Sequence, residues 1–364
     1  MKVVKNPLRL MLPVSFLLLQ LSAYSKTVPL DSKNIHVTGA AYIFRNPEKL
    51  SFQRFSDEVL KAPDDIRMFS VKTASSTSGI ILQFKTKSLF VHLTFSPEPG
   101  LGEKGSFKIL KDGAELKIVS FDAAAAKQDI QVNLDSLNTA KESVYEVILP
   151  SYTNVSLTHF EIDNSSDLAS YQPAKRKVYI GIGDSITHGR GQDGASYLTY
   201  PFLVSEKLNM DFYNLAIGGA KVSIPVAEMT KDLPKADVIT VLIGYNDLNA
   251  AGHSAGQFEK DYREYLSKIR KNQPKAKIFC ITLLYTKRKE NPKTHVTPDD
   301  FRGVIKKVVT EYQARDKKLY LIEGDKITSL ANLQPGDKTD PVHLTVKGAA
   351  LFADALYKEM AKDL

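Results

Sequence analysis

Apolar and polar residues along this chain follow two different rhythms, and the change comes near residue 170. Before that point the period is two. Leu89, Val91, Leu93 and Phe95 alternate with Phe90, His92 and Thr94, which predicts a strand with two distinguishable faces. Phe107 to Leu110 and Glu115 to Val119 flank Lys111-Asp112-Gly113-Ala114, which predicts a hairpin closed by Asp-Gly. Val144 to Leu149 and Val155 to Ile162 predict two more strands, and helical periodicity is missing here except around Ser136 to Lys141. The expectation for residues 26–168 is a smaller, all-β, jelly-roll-like sandwich. A short polar linker through Gln172-Pro173-Ala174-Lys175 follows it.

From residue 175 to 364, apolar runs alternate with amphipathic stretches. Strands are predicted over Lys177 to Ile182, Phe212 to Ile217, Val238 to Ile243, Lys277 to Leu284 and Leu319 to Ile322. Helices are predicted over Tyr197 to Leu208, Ala255 to Lys271, Pro298 to Arg315 and Val346 to Leu364. A parallel sheet covered on both faces produces this pattern, because its strands are buried on two sides and its helices on one stripe. The expected fold class is therefore α/β: a three-layer α/β/α domain with a parallel sheet, preceded by the β-sandwich.

The first residues carry a different signal. Lys2, Lys5 and Arg9 precede the apolar run Leu10 to Leu21 and the small-residue site Ala23-Tyr24-Ser25, which reads as a secretory signal peptide over residues 1–25, cut after Ser25. The run is short for a membrane span and contains Pro13 and Gln20. Cys280 is the only cysteine, so an exported product holds no internal disulfide. Secretion or a bacterial periplasm is the expected location, without stable membrane insertion. Removing the three basic residues of the leader leaves 46 basic against 41 acidic residues, a net charge of +5 that is too mild for a nucleic-acid partner.

The chemistry sits at predicted strand ends. Lys177-Val178-Tyr179-Ile180-Gly181-Ile182 runs into Gly183-Asp184-Ser185-Ile186-Thr187, and Asp340-Pro341-Val342-His343 stands near the C-terminus. A serine hydroxyl needs an imidazole to take its proton and a carboxylate to orient that imidazole. A dinucleotide fingerprint would need glycine where Ile186 stands, and the α/β-hydrolase elbow would need glycine at Thr187. Asn214-Leu215-Ala216-Ile217-Gly218-Gly219-Ala220 and Val241-Leu242-Ile243-Gly244-Tyr245-Asn246-Asp247 place further glycines and an amide at strand ends, where donors for an oxyanion are useful.

With these blocks in order, residues 175–364 resemble the SGNH hydrolase (GDSL esterase) family. The resemblance implies Ser185 as nucleophile, Ser185, Gly218 and Asn246 as oxyanion-hole donors, His343 as general base and Asp340 as its orienting acid. Asp184, His188 and Tyr245 are candidate pocket residues. No metal or organic cofactor is implied. A β-sandwich ahead of such a domain resembles bacterial carbohydrate acetyl esterases, so the expected partner is an acetylated carbohydrate. A lipase, lysophospholipase or thioesterase would use the same residues on longer acyl chains, and a glycan-binding protein would have no use for the intact set.

Overall fold

The computed structural model describes residues 24–135, 137, 141–335 and 341–364. The leader up to residue 23, most of the helix expected at 136–141, and Asp340 lie outside them. In chain order the first eleven strands are β1 (Ser25–Thr27), β2 (His36–Thr38), β3 (Tyr42–Asn46), β4 (Lys49–Gln53), β5 (Ile81–Thr86), β6 (Val91–Gly102), β7 (Gly105–Lys111), β8 (Ala114–Phe121), β9 (Ile130–Leu134), β10 (Ser143–Ile148) and β11 (Thr153–Asp163). They form two antiparallel sheets, one ordered β3-β4-β11-β6-β9 with β1 beside β11, the other β2-β5-β10-β7-β8. Because Ser25 is the first residue of β1, cleavage after it would remove one residue of a paired strand.

The inward positions of both sheets share one apolar core, including Phe52, Leu82, Phe95, Phe107, Val147 and Phe160. Val91, Leu93 and Phe95 are buried on alternate positions of β6 as their spacing predicts, whereas Leu89 falls before the strand and is exposed. The β7–β8 hairpin turns on Asp112 and Gly113, with φ of 51° and 81°. Both signs are those of a two-residue turn that matches strand twist, which is why Asp-Gly closes it.

The first half is not all β. Between β4 and β5 run three one-turn helices, α1 (Asp57–Lys61), α2 (Asp64–Arg67) and α3 (Val71–Ala74). Four or five residues are too few to write a helical period, so the pattern reading passes over them. Ser56 does supply an N-cap, its Oγ accepting from the Val59 N–H. Phe55, Val59, Phe69 and Ala74 from this segment join the core of the second half rather than that of the two sheets.

That second half holds a parallel five-stranded sheet, β12 (Lys177–Gly183), β13 (Met210–Ala216), β14 (Val238–Leu242), β15 (Lys277–Ile281) and β16 (Leu319–Ile322), ordered β13-β12-β14-β15-β16. The helices are α4 (Ser185–His188), α5 (Tyr200–Leu208), α6 (Ile224–Met229), α7 (Ala255–Asn272), α8 (Pro298–Gln313) and α9 (Val346–Met360). α5 packs with α9, and α7 packs with both α6 and α8. The strand order reverses at β12, and in open parallel sheets the crevice at the carboxyl ends beside such a reversal is where ligands bind.

Arg54 joins the halves. It is 2% exposed, and its five N–H groups all find acceptors: the carbonyls of Ser76, Asn214 and Ala216 at 2.8 Å, that of Ala74 at 3.1 Å and Ser76 Oγ at 3.0 Å. Burial lowers its pKa to about 9. The guanidinium thus clamps the end of β13 onto the segment after β4.

Candidate active site

Parallel strands bring their carboxyl ends to one edge, so the loops after β12, β13 and β14 are neighbours. Asp184 caps α4 through its Oδ1, which accepts from the Ile186 N–H at 3.0 Å, and this sets Ser185 at the first helical position. His343 comes from the segment before α9, which the Leu333–Leu344 bridge and the Gln334 N–H to His343 carbonyl bond at 2.9 Å hold in place. Ser185 Oγ and His343 Nε2 lie 2.7 Å apart, within reach for proton transfer. They line an open cavity of about 280 Å³ with Gly218, Gly219 and Asn246.

Asn246 Nδ2 donates one hydrogen to the Ala220 carbonyl at 3.0 Å, which fixes the amide against the β13 loop. Asp247, next to it, is buried and accepts from the Val222 N–H at 3.1 and 3.3 Å. Burial, above all, raises its carboxyl to about 7, and burial raises Asp184 to about 7 as well.

Two expectations need correction. The Gly218 N–H is committed to His188 Nδ1 at 3.1 Å and points away from an oxyanion role. Gly219 beside it lines the same cavity, has φ of 82°, and has no hydrogen bond from its N–H among the described residues. The three candidate pocket residues, Asp184, His188 and Tyr245, are buried and do not line the cavity. Asp184 is occupied by capping, and the Tyr245 hydroxyl accepts from Arg288 Nε at 3.3 Å. His188 sits behind the wall: its Nε2 meets Ser76 Oγ at 2.8 Å and Ser78 Oγ at 2.7 Å, and its ring stacks on Tyr152. With Nδ1 accepting from Gly218, Nε2 carries the proton. Burial, with Arg54 and Arg190 adding to it, holds the imidazole neutral by lowering its pKa well below the usual range.

The remaining walls are Thr73, Leu101, Glu103 and Tyr152 from the first half, and Arg190. Apart from Tyr152, an aromatic in a β-rich stretch, none carries a motif in the sequence. They are placed by packing between the halves.

Comparison with known proteins places likenesses over both halves of the chain. Residues 182–351 match the GDSL-like Lipase/Acylhydrolase family. The cellulase/esterase CelE of Acetivibrio thermocellus is 24% identical over 216 residues, 49% of this chain and 26% of CelE. The chain thus spans about a quarter of the length of that relative. Among solved structures, the salicylyl-acyltransferase SsfX3 from a tetracycline biosynthetic pathway superposes with a TM-score of 0.79 at 20% identity, over 93% of this chain and 97% of that one. A family two carbohydrate esterase from Clostridium thermocellum, in complex with cellohexaose, has a TM-score of 0.64 at 18% identity over 90% and 98%. At such identities the likeness is one of fold. The stretch that matches the GDSL-like Lipase/Acylhydrolase family, residues 182–351, is the one that holds Ser185, Gly219, Asn246 and His343.

Proposed function

We propose that the protein is an exported serine esterase that removes acetyl groups from polysaccharides or their oligomers through an acyl-enzyme. The 2.7 Å contact between Ser185 Oγ and His343 Nε2 at the wall of an open cavity carries this reading. Ser185 Oγ attacks the ester carbonyl while His343 takes its proton, and the same proton then goes to the departing alcohol oxygen. The carbonyl oxygen, negative in the tetrahedral intermediate, is met by the Ser185 N–H, the Gly219 N–H and the second amide hydrogen of Asn246. Water, deprotonated by His343, releases acetate and regenerates the serine. Asp340, three positions before His343 in the chain, is in this reading the acid that orients the imidazole.

A relative that is a cellulase/esterase and a like-folded carbohydrate esterase support the substrate class. The basic-then-apolar leader supports export, and among the described residues no helix is long and apolar enough to cross a membrane. The same reading takes the two helix groups as outer layers of an α/β/α sandwich, and the antiparallel sheets as a jelly-roll-like unit over 26–168 ahead of the hydrolase domain over 175–364.

The test is covalent labelling by a fluorophosphonate together with acetate release from acetylated xylan. Wild-type protein is expected to be labelled and active, and Ser185→Ala to remain folded, unlabelled and slower by roughly 10⁴-fold or more. An unlabelled wild type would end this reading.

A further inference from the structure

Tyr152 is placed with more constraint than packing alone explains. It stands in the turn between β10 and β11 with φ of 57°, a left-handed conformation uncommon for a non-glycine residue. The turn is tied to the second half, where Pro150 bridges Ala195 and the Ser151 N–H donates to the Gly194 carbonyl at 2.9 Å. The ring lies flat on His188 with centroids 4.0 Å apart, and the Arg190 guanidinium sits 5.7 Å from its centroid. Tyr152 is 4% exposed, and its hydroxyl has no hydrogen-bond partner among the described residues. A buried hydroxyl left without a partner is a cost that a folded protein rarely carries idly. Tyr152 lines the cavity, and its hydroxyl lies just beneath that wall, 2.9 Å from where a methyl group on Gly218 would stand.

The wall continues. Tyr152, Glu103 and Arg190 also line a second cavity of about 410 Å³, whose other side includes Lys104, Asp193 and Gln334. Arg190 Nη1 holds both Glu103 oxygens, at 3.0 and 2.8 Å, and Thr153 Oγ1 donates to the Glu103 carbonyl at 2.8 Å. A carboxylate, a guanidinium, an amide and a phenol around one space suit a ligand dense in hydroxyl groups and offer little to an alkyl chain.

We propose that this second cavity receives the alcohol part of the ester as a polyhydroxylated, sugar-like group, with the Tyr152 hydroxyl as its contact nearest the reacting ester. The inference rests on the esterase reading above and adds the side on which the leaving group lies. The Tyr152 hydroxyl both donates and accepts, so it fits a sugar hydroxyl in either role.

The experiment compares wild type and Tyr152→Phe on a mono-acetylated xylo-oligosaccharide and on 4-nitrophenyl acetate. The kcat/KM ratio, sugar ester over aryl ester, is expected to fall about fivefold or more in the variant through a raised KM for the sugar ester, a change the size of one neutral hydrogen bond. Its Tm is expected to stay level or rise, since a partnerless hydroxyl is gone. An unchanged ratio or a lowered Tm would overturn the proposal and leave the esterase reading standing, whereas a wild type active on the aryl ester alone would overturn the proposal together with the carbohydrate part of that reading. No turnover of either ester by wild type would overturn both. If Tyr152→Phe fails to fold, Glu103→Gln on the cavity rim takes its place, and the same fall or constancy of the ratio decides.

Discussion

Asn246 has one amide hydrogen bound to Ala220 and the other available at the cavity wall. Asn246→Ala is expected to lower kcat by roughly 10²–10³ with little change in KM, because the lost donor acts on the charged intermediate rather than on bound ester. Steady-state kinetics on an aryl acetate checks this, and a raised KM at constant kcat would make Asn246 a substrate-binding residue instead. His188 gives a pH signature. It is neutral when folded and takes a proton near pH 6.5 when unfolded, so its contribution to stability is whole above pH 6.5 and is lost as pH falls toward its lowered folded pKa. Asp184 and Asp247, raised to about 7, act in the opposite sense: their contribution is present near pH 4 and is lost as pH rises toward 7. The difference between wild type and His188→Asn cancels those two. That gap, measured by urea unfolding, is expected to narrow by about 1 kcal/mol between pH 6.5 and 5.5. A constant gap would mean that His188 titrates normally in the folded protein.

At the scale of elements, the segment between β4 and β5 does two jobs that its sequence does not announce. Its three short helices complete the core of the second half, and Arg54 at its start holds the last carbonyls of β13, just before the loop that carries Gly218 and Gly219. Arg54→Met would leave several buried carbonyls without donors. A loss of about 3–5 kcal/mol in unfolding free energy is expected, each stranded group costing about 1–3 kcal/mol with partial relief from water. The urea midpoint measures it, and a change below about 1 kcal/mol would show that the clamp is replaceable. The β7–β8 hairpin is the contrasting case. Its turn was readable because Asp-Gly chemistry is complete within a few residues.

For the whole molecule, the two halves share buried surface, so the first is more than a spacer. Phe55, Val59, Phe69, Ala74 and Ile148 belong to the apolar cluster of the parallel sheet, and Gly39 packs against the Phe212 carbonyl. A chain reduced to residues 174–364 would expose those contacts together with the unclamped end of β13. It is expected to be insoluble or molten, with soluble, cooperatively unfolding protein as the opposite result in expression and calorimetry. By itself the sequence determined the type and order of the main strands and helices, and the blocks around Ser185, Asn246 and His343, because period, capping and turn chemistry act over a few residues. Only the tertiary structure decided that Gly218 spends its N–H on His188 and leaves Gly219 at the cavity. Only it placed the helices after β4 in the second core, and Tyr152, Glu103 and Arg190 on one wall. Each of those outcomes depends on residues far apart in the chain, such as Arg54 and Asn214 at 160 positions, meeting where backbone groups need partners. No local pattern records such a meeting, since it is fixed by which surfaces the packed sheets bring together.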